Sequence, residues 1–193
     1  MRCDPVIAPL LTVTAVTACT QDPQRPSTGE AAPATPPPSP TVIDKPVAWP
    51  SATIDEGTLA ALSEPARAAV AASKVPVLLV ARSSLLGAIT VIAKERFTAV
   101  STKGDGIHVS VSATRSAHRR SHLPKVKGET EVRGQPAFVT QNEAIWSASW
   151  IENGIAYVLE LECASLPDPR CEDDTHLRTL IDELVYVGGE GAR

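Results

Sequence analysis

The sequence predicts an α+β domain: a single antiparallel sheet of about five to six strands, with N- and C-terminal helices packed on one face. Three observations predict it. Ile107–Thr114 alternates strictly, with Ile107, Val109, Val111 and Ala113 on one side and His108, Ser110, Ser112 and Thr114 on the other. Three strand-like runs, Pro136–Gln141, Ile145–Ile151 and Ala156–Cys163, follow one another across short turns at Asn142-Glu143 and Glu152-Asn153-Gly154. Such spacing belongs to a meander of hairpins. Finally, Leu177, Leu180, Ile181, Leu184 and Val185 repeat at helical spacing, so that Asp173–Val187 reads as an amphipathic helix.

The elements are justified in chain order. Leu59, Leu62, Ala66, Ala69 and Val70 keep a helical rhythm, so Asp55–Ser73 reads as helix, kinked near Ser63. Ser63 precedes Glu64-Pro65 and can cap a second segment, because proline is tolerated in a first helical turn. Lys74-Val75-Pro76 opens "VLLV", a short buried strand. Phe97–Thr102 reads as a strand, and Lys103-Gly104-Asp105-Gly106 turns the chain into Ile107–Thr114. Asp173, Asp174 or Thr175 can cap the last helix, and Gly188-Gly189 can stop it.

Ahead of this domain the composition changes. Nine prolines fall in the 29 residues from Asp22 to Pro50, and "APATPPPSP" favours extended, solvated backbone over a packed core. At about 3.1 Å per residue this stretch could reach roughly 90 Å. Trp49 is the one large apolar side chain in it able to dock on the domain. Further upstream, Pro5–Gln21 is an uncharged run of 17 residues, short of the roughly 20 needed to cross a bilayer. An apolar run ending in small residues is the pattern of a secretory signal.

Val16-Thr17-Ala18-Cys19 resembles the lipobox of bacterial lipoprotein signal peptides. The resemblance implies cleavage before Cys19 and a diacylglyceryl group on its thiol. Two acyl chains anchor stably where one does not. The expected organisation is a signal peptide over 1–18, a lipidated cysteine and proline-rich linker over 19–52, and a globular domain over 53–193. The expected location is a cell membrane or outer membrane, with the domain facing the periplasm or the exterior. With Cys3 removed and Cys19 lipidated, Cys163 and Cys171 remain. They bracket "ASLPDPR", and a disulfide between them is the preferred reading for an exported chain.

The segment "VRGQPAFVTQNEAIWSASWIENGIAYVLELE" resembles a domain of bacterial envelope proteins of the anti-sigma-factor-like and lipoprotein-sorting-like kinds. The features that carry the resemblance are Val132-x-Gly134, Trp150 and the Asn153-Gly154 turn before Tyr157. It implies a non-enzymatic sensing or binding module and transfers no catalytic residue.

Two features are candidates for binding. Arg115, Arg119, Arg120, Lys125 and Lys127, with His118 and His122, form a basic segment in a chain of net charge −4. It suits anionic lipid, an acidic glycan or an acidic partner protein. An exported chain without interleaved aromatics there is not expected to bind nucleic acid. Trp146 and Trp150 share one side of one strand and form either core or an aromatic binding surface. No metal or cofactor is expected: Arg119 and Arg120 would repel a cation held by His118 and His122. Ser121 beside His122 is adjacency and not a triad, and no G-x-S-x-G elbow occurs. The sequence therefore points to a lipid-anchored binding or envelope-sensing module, not an enzyme, with a small-ligand carrier as the alternative.

Overall fold

The computed structural model describes residues 41–86, 89–119 and 126–191. The signal segment, Cys19, Arg120, Ser121, His122 and Lys125 lie outside them. Within the described chain a seven-stranded antiparallel sheet dominates, and it replaces the expected sheet of five to six strands. Its order is β3 (Thr90–Lys94), β4 (Phe97–Gly104), β5 (Ile107–Thr114), β10 (Ile155–Cys163), β9 (Ile145–Glu152), β8 (Gln135–Asn142) and β7 (Thr130–Val132). Two meanders, β3-β4-β5 and β7-β8-β9-β10, thus meet at the β5–β10 pair, where Tyr157 lies opposite Ala113 and Leu161 opposite Val109. Two further two-stranded ladders complete the departure from a single sheet. One joins β1 (Thr41–Asp44) to β6 (Ser116–Arg119); the other joins β2 (Val77–Val80) to β11 (Leu184–Gly188).

The two added sheet strands escaped the sequence reading for physical reasons. β7 has only three residues, too few for any period to show. β3 is an edge strand whose residues alternate between exposed and half-buried, so it carries no apolar stripe.

The helices are short. Asp55 caps α1 (Glu56–Ala61) by accepting the Thr58 N–H at 2.7 Å. α2 (Glu64–Ala72) starts behind Ser63 with Pro65 in its first turn. α3 (Ser83–Leu86) is a single turn. α4 covers only Thr175–Asp182, so the expected helix to Val187 is corrected: Leu184–Gly188 is strand. The Glu183 N–H closes α4 on the Thr179 and Ile181 carbonyls. Leu184, Tyr186 and Val187 are all buried, as is all of β2 opposite them. A run buried on both faces is continuously apolar, and such a run fits a helical period and a strand equally well.

α2, α4 and the β2–β11 ribbon cover one face of the sheet. Ile107, Val109, Val111 and Ala113 of β5, and Ile155, Tyr157, Leu159 and Leu161 of β10, project into this layer and are buried. From the other side come Val70, Leu78, Leu79, Leu177, Leu180 and Ile181. Burying each such side chain fully contributes about 1.5–3 kcal/mol. Within the layer Ser73 Oγ lies 2.6 Å from Thr98 Oγ1 and the Tyr157 hydroxyl donates to the Pro76 carbonyl at 3.2 Å, whereas the buried Tyr186 hydroxyl has no partner among the described residues.

The chain preceding α1 runs as a strap over the domain. Beyond β1, the Lys45 N–H bonds the Arg115 carbonyl and the Ala48 N–H bonds the Asn153 carbonyl. Trp49 then lies across Gly189 and Gly191. A methyl group placed on Gly189 would fall 2.6 Å from Trp49 Cζ3, so the bare glycine lets the indole approach the backbone.

Candidate binding face

The second face of the seven-stranded sheet is open among the described residues. Its centre is polar. Ser110 Oγ donates to Glu160 at 2.9 Å, Ser101 Oγ lies 2.8 Å from His108 Nε2, and His108 Nδ1 lies 3.4 Å from Glu162. A serine, a histidine and a carboxylate in line invite a comparison with acyl-transfer sites. Such chemistry also needs donors aimed at the developing oxyanion. In a ladder the N–H groups lie in the plane of the sheet and not toward its faces. The trio is a set of cross-strand surface bonds.

Toward the β8–β9–β10 end the same face turns apolar. Pro136 and Phe138 on β8, Ile151 on β9, and Ala156 and Val158 on β10 line a groove of about 640 Å3, with Val126 and Lys127 at its rim. Ile151 is 63% exposed, Val126 69% and Phe138 39%. Phe138 and Ile151 stand on the side of their strands where alternation should place polar residues, and that phase break is the sequence signal of the groove.

The sequence-derived candidates separate in space. Lys127 is exposed at the groove. His118 and Arg119 lie in β6, paired with β1. Arg115 joins β5 to β6, and its side chain lines a different pocket from Lys127. Trp146 and Trp150 share the covered side of β9 with buried Ala148, and Trp150 also borders the floor of the groove. Trp150 is 3% exposed, stacks on Tyr157 with ring centroids 5.5 Å apart, and donates Nε1–H to Glu152 at 3.1 Å. Burial raises the Tyr157 hydroxyl pKa above the ordinary phenol value, with the Glu152 carboxylate adding to it. Trp146 is half-buried and donates Nε1–H to the Cys171 carbonyl at 3.0 Å.

Cys163 and Cys171 form a disulfide, with Cα atoms 6.3 Å apart. It ties the end of β10 to the 3₁₀ turn Pro169–Cys171. Beside it Asp168 accepts hydrogen bonds from the Arg170 backbone at 2.9 Å and from its guanidinium at 2.7 Å. These bonds pull the Asp168 pKa down to about 2. No group of three or more His, Cys, Asp or Glu side chains that could hold a metal ion occurs among the described residues. No helix among them is long and apolar enough to cross a membrane. Comparisons with protein-family models, curated proteins and solved structures returned no match to this chain.

Proposed function

We propose that the protein is a lipoprotein, anchored in an envelope membrane through Cys19, whose sheet domain binds a partner protein on its open face. The four-residue lipobox supports the anchor, and the proline-rich stretch behind it supports a tether. The observation that carries the binding reading is the groove. It gathers Phe138, Ile151 and Val158 on a face that the chain leaves uncovered among the described residues. Exposed apolar clusters of this kind mark sites of association. Lys127 at the rim adds charge that favours an acidic partner or an anionic membrane surface.

A second reading has one specific observation in its favour. About 640 Å3 is within the range of small-molecule sites, so the groove also suits an apolar ligand. Affinity capture of the lipidated protein from its own envelope separates the two. A bound protein lost with Ile151→Asp supports the first reading; an extractable small molecule lost with the same change supports the second. If neither a protein nor a small molecule is lost with Ile151→Asp, both readings of the groove are overturned. The anchor has its own test: Cys19→Ala should abolish incorporation of a labelled fatty acid, and a mutant that still takes up label overturns it.

A further inference from the structure

We infer that the domain carries a second pocket, built by Arg115, Trp49 and Lys74, that binds a small organic molecule with one anionic group on a flat apolar body. This goes beyond the groove and does not depend on it. The inward register of β5 runs Ile107, Val109, Val111, Ala113, and the next residue in that phase is Arg115. A guanidinium therefore stands where the strand's period demands an apolar side chain. Its backbone is held on both sides, the N–H bonding the Arg96 carbonyl at 3.1 Å and the carbonyl accepting the Lys45 N–H at 2.9 Å. The side chain is thus committed to the covered side of the sheet, where the strap and the residues after β11 meet.

There Arg115 lines a pocket of about 360 Å3 with Val47, Trp49, Lys74, Glu190 and Gly191. Among the described residues Arg115 Nε is buried without a hydrogen-bond partner and no carboxylate pairs with Arg115. Lys74 is already paired with Glu190. The pocket therefore holds two cations and one anion, and one positive charge is left over. A buried donor left unmade is costly, and a guanidinium is the natural fork for a carboxylate-like group. Trp49 supplies an aromatic wall, so the rest of the ligand is flat and apolar. Glu190 competes with any incoming anion for Lys74.

Isothermal titration of the full chain in detergent, with 1-naphthoate as probe, tests this. The expected result is one-to-one binding that weakens at least tenfold with Arg115→Gln. The neutral analogue 1-naphthalenemethanol should bind at least tenfold more weakly than naphthoate. Glu190→Gln should tighten binding several-fold, an outcome that misfolding cannot imitate. Ile151→Ser, which alters the open-face groove, should leave naphthoate binding unchanged. Absence of naphthoate binding overturns the inference, as does equal affinity for the alcohol or indifference to both pocket substitutions. Loss with Ile151→Ser alone assigns the probe to the groove and overturns it too, while leaving the groove reading intact.

Discussion

His176 opens α4 with its Nε2 3.4 Å from Arg82, which itself forms a two-pronged pair with Glu183 at 2.9 and 2.6 Å. Partial burial lowers the His176 pKa first, and the positive charges of Arg82 and Arg170 lower it further. An unfolded chain takes up this proton near pH 6.5, and the folded one resists it. The stability His176 contributes is therefore fully present above that pH and declines as the pH falls through it. Urea unfolding midpoints should drop between pH 7.5 and pH 5.5, and His176→Gln should flatten that drop. An unchanged slope in the variant refutes the assignment. The nearest charged contact is not announced by the local sequence, because Arg82 lies 94 residues away. Arg115 illustrates the same limit from the other side. Its neighbours in sequence are basic, but its neighbours in space are an indole and an ion pair.

Between elements, the hairpins were the most legible part of the chain. The alternation in β5 and the Asn153-Gly154 turn are local signals, and the turn's φ values of 53° and 79° are those that Asn and Gly accept. The β1–β6 and β2–β11 ladders were not legible, since each joins segments far apart in sequence and neither partner has a period of its own. Two substitutions test the joints between elements. Leu180 on α4 is wholly buried, and Leu180→Ala should cost about 2–5 kcal/mol in chemical denaturation. The disulfide closes a short loop, so Cys163→Ser with Cys171→Ser should lower stability by about 2–3 kcal/mol. Mass spectrometry of the unreduced protein should find neither thiol open to alkylation; two reactive thiols contradict the bond.

At the scale of the molecule, the strap binds parts that the sheet alone leaves separate. It touches β6 through β1, the β9–β10 turn through Ala48, and the residues after β11 through Trp49. The composition of residues 41–50 reads as tether, and proline content hides this docking because the contacts are made by backbone groups and one indole. Trp49→Ala should lower the unfolding free energy by about 2 kcal/mol, less than a fully buried tryptophan would cost. Fluorescence-monitored denaturation measures it, and an unchanged midpoint would mean that the strap contributes nothing to the fold. Of the candidate site, the basic segment was visible in the sequence; the groove and the Arg115 pocket needed the phase of the strands around them.

The pairing of β2 with β11 also sets a clock. β2 is complete once residue 80 has been made, yet the strand that covers it occupies residues 184–188. The ribosome adds about 5–20 residues per second, so β2 waits on the order of 5–20 s for its partner. During that interval α2 and β2 are present, but β2 lacks its partner strand and the layer lacks Leu184, Tyr186 and Val187. Contacts so distant in sequence form late and together. The inner ribbon therefore closes only after nearly all of the described domain has been synthesised.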